Sequence, residues 1–593
     1  MNVTREDSPD IAAALWPASP SSAFYFTVIA IVLYITYRSA LPKPLPGIPH
    51  NEDSARRILG DVPYFLEILR EGGRPRDFWA DLGRKKNSAV TQYFPGPFFG
   101  PVVILSDFRE AQDLLTRRSK EIDRGSLGTM MFAGVGEHHF VSMNSTHPNY
   151  YTSRGLQKDL MAPGYLNALS GPIVYGNVMS LIDLWKFKAK VANGRPFKAI
   201  KDLESLTADS IFESAMGITG DDRNVERTLQ QLKTEDLSRF TSNDTDSVFP
   251  FPEYVPQGLL QTIVVIAEVT GRFPTAPVLR LHWPLNNLRP HVRKAHRERR
   301  EIIQGYIDRA VEKRQREGPP AQAKTALDIL ITRELANAEK AGRAPAFQSP
   351  IFNDALYGYC FGGQDTTHSS MSFLVKHFGM YPEAQRTLRE HLHTAHAAAL
   401  AERRSPTTEE ILRASPIPYL DAFIEEVLRL NTTAAGVIKE ATQDLTLLGH
   451  HIPKGTQLIV PLWGASIDSP AYPIPESLRS KSCREHAGDV PADWTGSLYP
   501  AAEFHPERWL REDEDSGRVV YDPKSGPHMT FSAGPRECWG KRLAYLALRQ
   551  VTTLLVWNFE FLPLLEGMDS TVVEDVLNAK PKVCLVKVKP LWD

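Results

Sequence analysis

Phe531-Ser-Ala-Gly-Pro-Arg-Glu-Cys-Trp-Gly540 sets one cysteine, Cys538, in a glycine-bounded loop immediately before the apolar helical pattern Lys541-Arg-Leu-Ala-Tyr-Leu-Ala-Leu-Arg549. The thiolate is the form of cysteine that binds metals, and backbone N–H groups and the positive end of a helix dipole both favour it. Gly534 and Gly540 permit conformations or close approaches that a side chain would obstruct. Phe531 can wall the site from water, and Arg536 can neutralise an acidic edge of whatever is bound. The stretch is a geometry for presenting a thiolate, compatible by itself with several metals or none.

Upstream, Gly362-Gly-Gln-Asp-Thr-Thr367 lies inside an otherwise helical run. Adjacent glycines cost a helix roughly 1 kcal/mol each relative to alanine, so Gly362 and Gly363 imply a need for missing side chains, such as a flat ligand lying close. Asp365 and Thr366 beside them offer an acid and a hydroxyl that can interrupt the helix ladder and hold water. Further on, Glu426-Val-Leu-Arg429 places two opposite charges on one helix face, and Phe504-His-Pro-Glu-Arg-Trp509 follows it.

These motifs, in this order, resemble the cytochrome P450 heme-thiolate family. Its signature Phe-x-x-Gly-x-Arg-x-Cys-x-Gly is met at Phe531, Gly534, Arg536, Cys538 and Gly540. The resemblance implies the P450 fold, mainly α with small β-sheets, as one large heme domain behind an N-terminal membrane helix. It implies heme b with Cys538 as axial iron ligand, Gly362 and Gly363 over the heme, and Asp365 and Thr366 as the acid–alcohol pair that delivers protons for dioxygen cleavage. Glu426, Arg429 and Arg508 become a buried structural triad, in which removing one partner strands a charge. Lys439 stands where an arginine commonly meets a heme propionate, keeping the charge but not the fork. The region Thr146–Arg154 departs from the family by lacking the usual Trp-x-x-x-Arg element, with neither His147 nor Arg154 aligning cleanly.

The N-terminus reads as an anchor. No charged residue lies between Asp10 and Arg38, and Ala23–Tyr37 is strongly apolar, with Leu15-Trp16, Ser21 and Ser22 available to complete a span of about 20 residues. Acidic residues before it and Arg38 and Lys43 after it predict a body facing the cytosol. The expected layout is a lumenal tail over 1–20, a transmembrane helix over 21–40, a proline-rich hinge over 41–50 and the heme-thiolate domain over 51–593, single-pass in the endoplasmic reticulum membrane. Asn2-Val-Thr4 is a glycosylation sequon on that tail.

A net charge of −2 gives no footprint of a nucleic-acid binder. Cys360, Cys483, Cys538 and Cys584 are too dispersed for zinc or iron–sulfur spacing, and a disulfide scaffold is not expected. Helical patterns cover Leu288–Arg316, Ile351–Met380 and Pro382–Ala401, with strand signals at Val102–Leu105, Leu445–Leu448 and Gln457–Pro461. Ser469–Ala502, rich in Pro, Ser and charge, reads as a surface insertion.

The resemblance predicts a membrane-anchored monooxygenase similar to fungal members of secondary metabolism. It would use O2 and take electrons from a separate NADPH-dependent flavoprotein reductase, since no dinucleotide fingerprint is present. Lys541, Arg542 and Arg549 are candidate docking charges or simply a solvated helix face. An apolar small-molecule substrate is expected against the Gly125–Thr146 loop, the start of the Ile351 helix, Thr432–Val437 and a loop near Gly567–Val573, with Met130, Met131, Phe132, Phe352 and Val437 as wall residues. Rival readings are a reductase-independent heme-thiolate isomerase or dehydratase, which would not need the Asp365-Thr366 pair, and a non-catalytic heme-binding membrane protein.

Overall fold

The computed structural model describes residues 20–592 except 241, 243, 254 and 576. The helices that frame the site are α1 (Pro20–Ala40), α2 (Pro75–Lys86), α3 (Phe108–Thr116), α4 (Tyr150–Leu156), α5 (Gly171–Ala192), α6 (Ile200–Met216), α7 (Pro290–Glu317), α8 (Pro350–Met380), α9 (Pro418–Leu430) and α10 (Lys541–Asn558). Five short strands make the main sheet: β1 (Val90–Tyr93), β2 (Val102–Leu105), β3 (Ile122–Asp123), β4 (Gly436–Ala441) and β5 (Gln457–Pro461), in the order β1-β2-β5-β4-β3. All neighbours are antiparallel except β2 and β5, which pair in parallel from Val102 opposite Gln457. Near the C-terminus, β6 (Val573–Asp575) and β7 (Ala579–Pro581) form a separate antiparallel pair.

The central helix α8 starts where Ser349 caps the backbone N–H of Phe352 and Pro350 fills the first turn, a position that lacks an intrahelical partner in any case. It ends before Pro382, whose ring disfavours helix at the preceding residue. Most of its side chains are buried, because α6, α9 and α10 pack around it. Trp185 of α5, Phe378 of α8, Phe423 of α9 and Leu554 of α10 share the largest apolar core. This core fixes α8 and α10 relative to one another, and so fixes the two sides of the site.

The pattern expected for Pro382–Ala401 is two helices, Pro382–Ala395 and Ala397–Ala401, broken at His396. The proline-rich segment after α1 is extended but not free. Gln92 accepts from the N–H of Leu45 and donates to the carbonyls of Leu45 and Ile48, and Ile48 is buried against the sheet. Buried backbone groups need such partners.

α1 leaves Phe24, Phe26, Ile29, Val32, Leu33 and Ile35 exposed. Among the described residues, however, no helix is long and apolar enough to cross a membrane. At 1.5 Å per residue the Ala23–Tyr37 run spans roughly 22 Å, short of the ~30 Å hydrocarbon core. Leu15 and Trp16, expected to complete the span, lie outside the described residues. The tail expected over 1–20, with its Asn2 sequon, lies outside the described residues apart from Pro20.

Candidate active site: a thiolate loop below a glycine-bearing helix

Cys538 lies three residues before the start of α10, with Gly540 as the helix N-cap. Its backbone N–H donates to the carbonyl of Phe531 at 2.8 Å, closing the loop on itself. Burial pushes the Cys538 thiol up, while the backbone N–H groups of Gly540 and Lys541 favour its charged form, as the sequence anticipates. Gly534 adopts φ +76°, and a Cβ there would lie 1.8 Å from the carbonyl oxygen of Leu115 at the end of α3. Only glycine allows those two backbones to touch.

Cys538, Phe531 and Gly540 line a cavity of about 480 Å³, and Gly362, Gly363 and Thr366 of α8 line it too. The two glycines have different reasons. A Cβ on Gly362 would meet nothing within 4 Å, so this face is open to the cavity, whereas one on Gly363 would meet the Ile211 side chain of α6 at 2.5 Å. Gly363 therefore serves packing against α6 as well as lining the cavity.

The acid–alcohol pair is divided in a similar way. The Thr366 hydroxyl donates to the carbonyl of Gly362 at 2.7 Å, yet α8 is unbroken, so the ladder is not interrupted. Asp365 is buried, ion-paired with Lys580 of β7 and hydrogen-bonded by the Asn578 amide at 2.6 Å. Burial pushes its carboxyl up, but the Lys580 ammonium and the two hydrogen bonds outweigh that and hold it below the usual carboxylate range. Asn578 itself lines the cavity, which leaves Asp365 one residue behind the wall.

On another side the cavity meets a basic cluster. Arg536 reaches Asp123 at 3.2 Å, the Ser145 hydroxyl at 2.9 Å and the carbonyls of Phe140 and Met143. Arg124 is half-buried with its Nε enclosed and unpartnered, and desolvation and the nearby Arg536 lower it to about 10. Lys439, on β4 and not itself in the cavity wall, is pushed down to about 7 by burial and by Arg124 and Arg536. Three cations here face one close carboxylate, that of Asp123.

The supposed gap in Thr146–Arg154 is filled. Tyr150 and Arg154, one helical turn apart on α4, both line the cavity, and the Arg154 guanidinium donates to the Tyr150 hydroxyl at 3.0 Å. The aromatic-x-x-x-Arg spacing is intact, with Tyr150 in the aromatic position. His147 is exposed and takes no part. Arg124, Asn578 and Lys580 are functional candidates that no motif in the sequence marks.

The triad forms as expected. Arg429 makes two 2.8 Å bonds to Glu426, and Arg508 makes a third through its Nε. Burial raises the Glu426 carboxyl, and the two guanidinium groups reverse the shift to below the usual range. Thr530, just before the thiolate loop, donates to the carbonyl of Leu428 at 3.0 Å and ties the loop to this helix.

The cavity walls confirm Met131, Phe132 and Val437. Met130 and Phe352 are not part of them, Phe352 being buried in the core. The C-terminal contribution comes from Asp575, Leu577 and Asn578 rather than Gly567–Val573. Asp575 is held by a buried ion pair to Arg76 of α2 at 2.7 Å.

These residues fit a flat, iron-bearing, dianionic macrocycle: a sulfur open to the cavity with the Gly540 and Lys541 amides beside it, an open glycine face and an under-neutralised basic cluster. The cytochrome P450 family model matches residues 172–481 and 498–586. The chain is 30% identical to the cytochrome P450 monooxygenase TRI13 of Fusarium sporotrichioides over 95% of this chain and 98% of that one. It is 35% identical to the monooxygenase xilC of Penicillium rubens over 91% of each. Among solved structures, the cytochrome P450 CYP102L1 superposes with a TM-score of 0.64 at 17% identity, covering 93% of this chain and 100% of that one, a likeness of fold alone. With the thiolate loop, the glycine face and the buried triad all in place, the chain belongs to the cytochrome P450 family.

Proposed function

We propose that this oxidoreductase inserts one oxygen atom from O2 into an apolar organic molecule in a fungal secondary-metabolite pathway, with Cys538 as axial ligand to heme iron. Cytochrome P450 enzymes use a heme-thiolate centre, dioxygen and electrons from a redox partner. The observation that carries the reading is that Cys538 and Thr366 line one cavity, the sulfur from the loop and the hydroxyl from α8.

Heme bound there supplies the redox chemistry by which dioxygen is reduced and cleaved. The chain does the rest. The Gly540 and Lys541 amides favour the thiolate form of the sulfur, Gly362 leaves room for a flat ring, and Arg124 and Arg154, with Lys439 behind the wall, would supply positive charge for its acid edge. Thr366 holds a hydroxyl at the cavity, and Asp365 stands behind it as a carboxylate, kept ionised by Lys580, that would accept a proton from solvent before passing it on. Phe361, Met131, Phe132 and Leu577 keep the substrate side apolar and dry. In its wall the Tyr93 hydroxyl makes no hydrogen bond among the described residues and offers one polar contact to a substrate.

The reductase is a separate NADPH-dependent flavoprotein that docks near Lys541, which stands 3.9 Å from Glu537 beside the thiolate loop. The exposed apolar face of α1 attaches the body to the endoplasmic reticulum membrane with the catalytic domain on the cytosolic side.

The test is to compare metabolites of a host with and without this protein under isotopically labelled O2. One labelled oxygen in the product, dependent on reductase and NADPH, is expected. An unlabelled product formed without reductase overturns the reading.

A further inference from the structure

Residues 482–497 fall outside the family match, inside the stretch Ser469–Ala502 that the sequence marks as a surface insertion. The structure shows it doing more than covering surface, because both its ends reach deep into the body.

At one end it clamps α3. Arg479 is buried and makes paired bonds to Asp107 at 2.6 and 3.0 Å. The Ser480 and Ser482 hydroxyls donate to Asp113 at 2.8 and 2.7 Å, and the Ser480 N–H reaches Glu110. Asp107, Glu110 and Asp113 are all buried; the insertion gives Asp107 its cation and adds donors to Glu110 and Asp113, which also pair with Arg118 and Arg117. The far end of this same helix is where the Leu115 carbonyl abuts Gly534 of the thiolate loop.

At the other end Trp494 is buried against the triad. The guanidinium carbons of Arg429 and Arg508 lie 5.2 and 5.1 Å from its ring centre, within the range of cation–π attraction. Its indole N–H donates to the carbonyl of Pro527 at 3.2 Å, and its ring fills the space a Cβ on Gly526 would take. Gly526 and Pro527 lead directly into Phe531–Gly540.

We infer that the 469–502 insertion is a brace for the thiolate loop, fixing Cys538 from two directions: through α3 at Gly534 and through Trp494 at Gly526–Pro527. Arg479 and Trp494 are its positioning residues. The inference rests on Cys538 being the heme ligand. A loop so held keeps its amides aimed at the sulfur, while one released on either side lets the thiolate take up a proton or leave the iron before the body unfolds.

The experiment uses the full-length, heme-loaded protein and the variants Arg479→Gln, Arg479→Lys, Trp494→Phe and Trp494→Ala. During heating, the thiolate-type absorption of the reduced carbon monoxide complex and the helical circular dichroism are followed together. The expected result is that the absorption band is lost at a lower temperature relative to the helical signal than in the parent, most for Arg479→Gln and Trp494→Ala, with Arg479→Lys partly rescued. If Trp494→Ala does not fold, Trp494→Phe and Arg479→Gln decide. Variants in which both signals shift together would make the insertion merely a stabiliser and overturn the inference. Cys538→Ala is the separate control: a thiolate-type band that survives it refutes the ligand assignment rather than the brace.

Discussion

Lys580 and Asp365, which lie on β7 and α8, form an ion pair that turns the acid of the acid–alcohol pair away from the cavity Thr366 lines. The sequence places Asp365 and Thr366 side by side, and the fold puts them on different sides of the wall. Proton supply through Asp365 therefore depends on a partner from the far end of the chain.

Replacing Lys580 with glutamine leaves burial unopposed by its strongest counter-charge, so the Asp365 carboxyl rises. In the parent its depressed value means that the ion pair's stabilisation is present above the ordinary aspartate pKa and is lost as pH falls through the folded value. The acid limb of turnover against pH should move to higher pH in Lys580→Gln. A superimposable profile would show that this pair does not govern the relay.

Gly362 and Gly363 should respond differently to alanine. Gly363→Ala drives a methyl into Ile211 and should destabilise by about 1–3 kcal/mol, read by chemical denaturation. Gly362→Ala enters open space and should leave the heme-free protein as stable or up to about 1 kcal/mol more so, while lowering the heme retained after purification. Equal heme content in Gly362→Ala and parent would argue against a ring lying on that face.

Arg429→Ala strands Glu426 in the core beside a single remaining arginine. The expected loss is about 3–5 kcal/mol, enough to sharply reduce the folded yield. Arg429→Lys should rescue little, because one ammonium cannot reproduce the paired bonds to Glu426 together with those to the carbonyls of Ile467 and Ala501.

Lys439, pushed down to about 7 in the folded chain, should make the heme-free protein pH-sensitive. A folded pKa below the unfolded one means that the charged lysine opposes folding. The penalty is full below about pH 7 and fades as pH rises toward the ordinary lysine value. Lys439→Met should therefore stabilise heme-free protein most at pH 6 and progressively less toward pH 10, in urea melts across that range. The same change should weaken heme retention, since it removes a positive charge from the basic cluster.

Tyr93→Phe removes a hydroxyl in the cavity wall that makes no hydrogen bond among the described residues. A substrate that accepts its hydrogen bond should bind roughly 3- to 10-fold more weakly, the equivalent of about 0.5–1.5 kcal/mol, with little change in fold. Identical affinity would leave Tyr93 as a wall residue only.

Much of the site was legible because its chemistry is local. The Phe531–Gly540 loop closes through its own Cys538-to-Phe531 hydrogen bond, and its sulfur is served by amides only two and three residues on. Glu426 and Arg429 sit one helical turn apart, and the turn that carries Arg508 follows a recognisable segment. Tyr150 and Arg154 were also within reach, since their i, i+4 spacing was present and only the identity of the aromatic differed.

Sequence alone thus determined the thiolate loop, the glycine-bearing helix, the triad and hence the family, because each is written in residues a few positions apart whose geometry the backbone enforces. Tertiary structure alone decided that Gly363 answers to Ile211, that Asp365 belongs to Lys580, that Arg124 joins Arg536 and Lys439, and that Trp494 and Arg479 brace the loop. Those relations join residues up to hundreds of positions apart. They arise from which elements pack against one another, and burial then requires each stranded charge or donor to find its partner wherever the chain returns.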